Sequence, residues 1–238
     1  MFFSTDIIKT KRRLTMSNNK VCFISCVNNY EEYNMALLHI HSLRIPGGYE
    51  IETIAIENAA SLTSGYNEAM RKTDAKYKVY LHQDTYIINK NFLFEIIALF
   101  QRYPKLGMMG AIGSKTIPYG CMHLSQLRYG VIYHTFDGKG KISLGQNIAV
   151  TDKDYEPVRA IDGMIMITQY DIPWREDIFK GWHCYDISQS LEFQMAGFEV
   201  GIPKHSSPWY IHDCGIITLT GFEENRKILV QHYYPYTI

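Results

Sequence analysis

Asp84 is the side chain whose setting most directly suggests chemistry. It closes the run Tyr77-Lys78-Val79-Tyr80-Leu81-His82-Gln83-Asp84, and Thr85 follows. β-Branched and aromatic residues dominate that run, which therefore reads as a strand ending in a carboxylate. In an open α/β sheet, ligands collect beyond the carboxyl ends of the strands. A carboxylate there can hold a divalent metal or a ligand, and it can equally be a solvated turn residue. Other polar groups share such a setting. Asn28 and Asn29 close an apolar run at 21–27, Glu57 and Asn58 close another at 51–56, and Asp162-Gly163 lies within a third at 158–167. Asp186 stands at the mouth of a predicted helix beside Trp182, His183 and Tyr185. Asp186-x-x-Gln189 has the spacing of a capping box, with Asp186 as N-cap.

An alternation of strands and helices must position these groups. After the first strand, Ala36, Ile40 and Leu43 share one helical face, and Pro46-Gly47-Gly48 stops that helix. Ser64 is the expected cap of a helix from Gly65 to about Thr73. Phe92, Ile96, Leu99, Phe100 and Tyr103 trace a helical stripe that Pro104 ends. A strand is predicted at 106–112, a helix at 186–196, a short strand at 199–202, and a last helix from Gly221. The β-α-β-α-β-α-β order predicts an α/β fold, a mostly parallel central sheet with helices on both faces. Residues 113–157 read as an inserted hairpin or loop, with a strand over 129–136 and a turn at Asp137-Gly138.

The length of 238 residues suits one sizeable domain. Its 24 basic and 24 acidic residues cancel, which argues against nucleic acid as a partner. Five cysteines, odd in number and without a CxxC pair, fit a reduced cytoplasmic protein better than a zinc site or disulfide framework. Within His183-Cys184 nothing supplies a third orienting group, so Cys184 reads as an inert thiol. No apolar run reaches the roughly 20 residues of a membrane span, so any membrane association is expected to be peripheral. Residues 1–19 read as an extension. Its basic stretch at 9–13 follows Met1-Phe2-Phe3, the reverse of a signal peptide. Either residues 1–15 form a loosely held arm, or Met16 is the start.

Five segments occur in a recognisable order: Ser64-Gly65-Tyr66-Asn67-Glu68-Ala69, Leu81-His82-Gln83-Asp84, Gly107-Met108-Met109-Gly110, Asp162-Gly163 and Gly181-Trp182-His183-Cys184-Tyr185-Asp186. By their order and spacing the chain resembles glycosyltransferase family 2 over about residues 20–215. The subgroup it is most similar to is that of the streptomycin-biosynthesis glycosyltransferase-like proteins. The resemblance implies a GT-A (nucleotide-diphospho-sugar transferase) fold over 20–238, with a nucleotide-binding half at 20–112 and an acceptor-binding half at 113–238. It implies transfer of a sugar from a nucleoside diphosphate, a UDP-sugar by default, to a saccharide or glycolipid hydroxyl. Mn²⁺ or Mg²⁺ and inversion at the anomeric carbon belong to the same expectation. The family's usual metal motif is Asp-x-Asp, whereas this chain has His82-Gln83-Asp84, with the second carboxylate alone.

On that resemblance Asp84 is expected to ligate the metal, with a late histidine, His212 or alternatively His205, completing the shell. Asp186 is the expected general base, a role worth roughly 10²–10⁴-fold. Asn28, Asn29, Glu57, Asn58, Asn67, His82, Gln83, Asp162 and Gly163 are the expected donor-binding residues. Trp182 and His183 are placed on the acceptor, where an aromatic face can stack on a sugar. Each also has an ordinary structural reading: strand-end turn, helix cap, strand bulge or packing aromatic. Two alternatives remain at this stage. One is a sugar-nucleotide binder of the same fold without turnover, suggested by the missing first carboxylate. The other is a nucleotidyltransferase, which would want a Gly-rich basic signature that Val27-Asn28-Asn29-Tyr30-Glu31-Glu32 lacks.

Overall fold

The computed structural model describes residues 16–135, 141–145, 149–205, 207–215 and 218–237. In β1 (Ser17–Val27), Val21 and Phe23 enter one core while Cys22 and Ile24 enter another. Burial of both faces explains why this run is apolar throughout and does not alternate. The strand begins at Ser17, which pairs with Ala75, so residues 17–19 belong to the sheet and not to the expected extension. Asn29 caps α1 (Tyr30–His41), its side-chain oxygen accepting from the N–H groups of Glu31 and Glu32. After β2 (Glu50–Glu57) comes α2 (Leu62–Lys72), whose cap is Ser61. Ser64, the expected cap, is the third-position partner of a capping box: its N–H donates to Ser61 Oγ, and its Oγ accepts from the Ser61 N–H.

The chain continues through β3 (Ala75–Leu81), β4 (Thr85–Ile87), α3 (Phe92–Arg102), β5 (Leu106–Gly110) and β6 (Ile112–Ser114). Two single-turn 3-10 segments at Pro118–Gly120 and Met122–Leu124 precede β7 (Arg128–Gly130), β8 (Tyr133–His134), β9 (Ser143–Leu144) and β10 (Tyr155–Pro157). Next come β11 (Ala160–Ile161), β12 (Ile165–Thr168), α4 (Tyr185–Met195), β13 (Glu199–Pro203), β14 (Tyr210–His212) and α5 (Phe222–Tyr233).

The main sheet has seven strands in the order β10-β13-β5-β12-β3-β1-β2. β2, β1 and β3 run parallel, as do β5 and β13. β12 lies antiparallel between these blocks, and β10 antiparallel at the edge. Helices cover both faces, as expected. Ile40 of α1 and Phe92, Ile96 and Phe100 of α3 pack on one side, and Leu62, Tyr66 and Ala69 of α2 on the other. No helix among the described residues is long and apolar enough to cross a membrane.

Two expected strands are each two strands in different sheets. The run at 106–112 divides into β5 and β6, and that at 158–167 into β11 and β12. β11, β6 and β7 form a separate three-stranded sheet. The second division falls at Asp162-Gly163, where Asp162 Oδ1 accepts from the Met164 N–H at 3.2 Å. That local bond makes a turn, not a bulge within one strand. The stretch 113–157 supplies strands to all three sheets, and β8 and β9 pair as an antiparallel hairpin. Phe136 and the expected Asp137-Gly138 turn lie outside the described residues.

Asn67 corrects a site expectation. It is buried, its amide nitrogen donating to Trp174 O and its oxygen accepting from the Trp174 N–H, both at 2.9 Å. The side chain thus acts as a peptide-like clasp between α2 and the segment before α4, and leaves no group for the crevice. Asn67→Ala strands two buried backbone groups and should cost about 2–4 kcal/mol in urea unfolding. Ligand affinity of the folded variant should be unchanged; a loss of affinity without a loss of stability would return Asn67 to the site.

Candidate functional site

A crevice of about 410 Å³ lies beyond the ends of β1, β2 and β3. Cys26, Ile56, Leu62 and Tyr66 line it together with Asn28, Asn58, His82, Gln83, Asp84 and Trp182. Gly65 permits α2 to approach this closely: a Cβ there would meet Cys26 Sγ at 2.4 Å and Ala59 Cβ at 3.0 Å.

Asp84 sits in the turn between β3 and β4, where the His82 N–H donates to Met164 O and the Thr85 N–H to His82 O, both at 3.2 Å. β14 pairs antiparallel with β4 so that His212 lies opposite Thr85, and the Asp213 N–H donates to Asp84 O at 2.9 Å. This register sets His212 Nε2 3.5 Å from Asp84 Oδ1, while His82 Nδ1 lies 4.0 Å from the same oxygen. Ligand atoms of the three residues fall within 4.8 Å of one another. Asp84 Oδ1 is buried and has no hydrogen-bond partner. Buried polar atoms are rarely left so, because desolvation is costly. One carboxylate oxygen and two imidazole nitrogens aimed at one point form a donor set that fits a divalent cation.

His82 is the ligand candidate that sequence reading placed elsewhere, among donor contacts. Its Nε2 meets the Tyr185 hydroxyl at 2.5 Å, the kind of outer contact that fixes the ring of a ligating histidine. Tyr185 in turn packs on Gly163, where a Cβ would lie 2.2 Å from its hydroxyl oxygen. Burial lowers the His82 pKa. Burial also acts to lower that of His212, but the Asp84 carboxylate more than offsets this and pushes it up to about 10. For Asp84, burial acts upward and the two histidines outweigh it, so its carboxyl is held below the ordinary range. Without a cation, the site is an Asp84–His212 ion pair. Glu32, which accepts from Gln83 Nε2 at 3.0 Å, is pushed up by burial and by the Asp84 charge.

Asp186 is not the helix cap that its spacing suggested. Cys184, in the left-handed region at φ 62°, holds the N-cap position, and Asp186 lies in the first turn. Its Oδ2 accepts from the Gly163 N–H at 3.1 Å and its Oδ1 from the Ile187 N–H at 2.8 Å. Gln189 donates to Ile172 O at 2.7 Å and does not reach back to the helix start. Burial, then the charge of Asp162, push the Asp186 carboxyl up to about 7. Asp162 Oδ2 lies 3.8 Å from Nε2 of His123, a residue the sequence reading passed over.

The remaining expected residues divide. Asn28, Asn58 and Gln83 line the crevice. The Asn29 side chain is spent on capping α1, and Glu57 accepts a hydrogen bond from the Tyr30 hydroxyl. Gln83 Oε1 accepts from the N–H groups of Asn28 and Asn29 at 2.9 and 3.0 Å, tying the end of β3 to the end of β1. Trp182, half exposed, lines the crevice, whereas His183 is turned away, with Nε2 3.1 Å from Thr220 O. His205 is buried against Trp209, ring centroids 5.1 Å apart, and its Nε2 accepts from the Val131 N–H at 3.3 Å, so it stands outside the Asp84 group. Tyr66, Cys26 and Leu62 were missed as lining residues because nothing in their types separates them from core.

The model of a glycosyltransferase-like family matches residues 22–233. No curated protein sequence matches the chain. Among solved structures, S. aureus TarS in complex with UDP is similar at TM-score 0.55 and 10% identity, covering 92% of this chain and 67% of that one. A mannosyltransferase from Pyrobaculum calidifontis in complex with GDP-Man and Mn²⁺ is similar at TM-score 0.51 and 10% identity, covering 93% and 65%. A mutant Drosophila β-1,4-galactosyltransferase 7, complexed with manganese, UDP-Gal and xylobiose, gives TM-score 0.50 and 13% identity, covering 86% and 74%. At these identities the likeness is one of fold, and the chain spans about two thirds to three quarters of each structure.

A cation entering the three-residue group must displace the His212 proton, because His212 stays protonated up to about pH 10 and ligation needs the neutral ring. Calorimetric titration of Mn²⁺ in buffers of different ionisation enthalpy should therefore show about one proton released per ion at pH 7. Apparent affinity should rise by up to about tenfold per pH unit between about pH 7 and 9. Binding without proton release would remove His212 from the ligand set.

Proposed function

The chain belongs to the glycosyltransferase-like family, and on that premise we propose that it moves a sugar from a nucleoside-diphosphate donor to a hydroxyl acceptor, with a divalent cation and inversion at the anomeric carbon. Similarity of its motifs to the streptomycin-biosynthesis glycosyltransferase-like subgroup is part of the same reading. The observation that carries it is the buried Asp84 Oδ1, without a hydrogen bond and set between His82 and His212, on the wall of a crevice at the sheet's carboxyl edge. Among the described residues that wall includes neither Lys nor Arg. A diphosphate bound there would find no lysine or arginine among them to offset its charge, which favours an offset by a metal held by Asp84, His212 and His82. UDP, GDP-Man and UDP-Gal in the structures of like fold support a sugar nucleotide as the donor.

In this reading, residues 20–112 bind the nucleotide and residues 113–238 the acceptor. Asn28 and Asn58 offer polar edges to the base and ribose beside the apolar surface of Ile56 and Leu62, while Gln83, its amide spent on Asn28, Asn29 and Glu32, holds that edge in place. Asp84, His212 and His82 would hold a cation that, when bound, would supply Lewis-acid stabilisation of the departing diphosphate. Asp186 takes the proton of the acceptor hydroxyl as its oxygen bonds to the anomeric carbon and the bond to the diphosphate oxygen breaks. Two backbone N–H groups aim the Asp186 carboxylate, and Asp162 raises its basicity toward neutral pH. Tyr185, its chain neighbour, holds His82, so base and metal group are placed by adjacent residues of α4. Two imidazoles beside one carboxylate favour Mn²⁺ over Mg²⁺, which prefers oxygen ligands. The odd number of cysteines supports a cytoplasmic setting.

The test is thermal-shift measurement with UDP and GDP, with and without Mn²⁺, followed by assay of free-sugar release from UDP- and GDP-sugars. Metal-dependent stabilisation with slow release supports the transferase. Metal-dependent binding without release, across acceptors, favours the sugar-nucleotide binder lacking turnover. Asp84→Ala should abolish the effect of Mn²⁺ on UDP binding. Asp186→Asn can keep one of the two backbone hydrogen bonds, since its amide nitrogen cannot accept, and should cut turnover about 10²–10⁴-fold with UDP affinity intact. Because the base works deprotonated, kcat/KM should rise with pH through about 7; a profile flat from pH 5 to 9 would remove Asp186 from that role.

A further inference from the structure

A second cavity, about 480 Å³, is lined by Tyr119, Cys121, Leu124, Phe222, Glu223 and Arg226. Tyr119 and Leu124 expose 70% and 58% of their surface. Tyr119 also adopts a left-handed backbone at φ 52°, held by Arg226 Nη1 donating to its carbonyl at 2.8 Å. A tyrosine ring kept out of the core in a strained conformation is of the kind found at ligand sites. The charges at this cavity are spent on each other. Arg226 donates through Nε and Nη2 to Glu223, the shortest bond being 2.7 Å. Among the described residues no cation lining it is left for a phosphate, and the remaining lining is apolar and aromatic.

The cavity adjoins the catalytic groups on two sides. Behind one wall, Phe222, stands the loop at 181–184: His183 meets Phe222 edge-on, ring centroids 5.7 Å apart, and Trp182 lines the nucleotide crevice. Tyr185 and Asp186 follow directly. The other wall is Cys121 and Leu124, with His123 between them reaching to 3.8 Å from Asp162. We propose, resting on the transferase reading, that this cavity receives the non-reacting part of the acceptor and that this part is an uncharged alkyl or aryl group. A hydroxyl of the same molecule then reaches past the 181–184 loop to Asp186, where it meets the donor sugar.

The probes are octyl, phenyl and methyl β-D-glucopyranoside, their binding measured by calorimetry on the whole chain with and without UDP and Mn²⁺. Octyl and phenyl glucosides should bind at least about tenfold more tightly than methyl glucoside. Leu124→Asn and Tyr119→Asn, both at exposed positions and the second suited to a left-handed backbone, should remove most of that preference and leave UDP affinity unchanged. Octyl glucoside at saturation should also lower the release of free sugar from the donor, whether by shielding Asp186 from water or by accepting the sugar. Equal binding of the three glucosides, or a preference that survives both substitutions, overturns the proposal. Unchanged sugar release at saturation overturns the acceptor assignment. Failure of UDP to bind, with Leu124-dependent octyl binding intact, would instead sink the transferase reading and leave the apolar site standing.

Discussion

The pairing of β14 with β4 holds His212 opposite Thr85, and so sets an imidazole 3.5 Å from a buried carboxylate oxygen that has no hydrogen bond among the described residues. A one-residue slip in that register would turn His212 to the other face of the strand and leave Asp84 alone. The pairing depends on other parts of the fold. β14 is the central partner of a four-stranded sheet with β4 and β8, and β4 follows β3 after the turn that contains Asp84. His82 enters the same group from the end of the central sheet. The metal group is therefore a junction between two sheets, and each contributes an imidazole.

Around that junction, one small segment serves several ends. Gly163 leaves room for the Tyr185 hydroxyl that meets His82, and its N–H donates to Asp186. Asp162, in the same turn, supplies the negative charge that helps to push the Asp186 carboxyl up to about 7. On the facing side, the left-handed Cys184 starts α4 without a side-chain cap. A residue with a Cβ in that region costs on the order of 1 kcal/mol or more. The strain accompanies the placement of Tyr185 and Asp186 in the first helical turn, one on the metal group and the other on the turn at Asp162-Gly163.

The fold class and the order of its early elements were legible because both faces of β1 and β3 are buried and their apolar runs are long. The stripe through Phe92, Ile96 and Phe100 likewise marked a helix that packs by one face. Strand direction was not legible: Ile165-Met166-Ile167 is equally apolar in a parallel or an antiparallel neighbour, so the reversed β12 left no trace. The breaks after Gly110 and at Asp162 were hidden for a similar reason, since the residues on either side are buried in two different sheets. Asp84 could be picked out by its place at a strand end, and His212 by resemblance. His82 looked like a substitute for a missing carboxylate; only the geometry at β14 gives it the same target as the residues beside it. Asn67 misled because an amide near a sheet edge reads alike whether it meets a ligand or a backbone, and Asp186 because capping spacing says nothing of where Gln189 points.

The loop at 181–184 separates two cavities with a thickness of one residue on each side: Trp182 faces one, and His183 touches the lining of the other. Occupancy of the two cavities is linked to the extent that binding on one side moves that loop. A molecule on one side that shifts Trp182 changes the cavity seen by a molecule on the other, and the coupling free energy is the same in both directions. Such a partition turns binding into a sequence of events: whichever molecule arrives first sets the wall against which the second must fit.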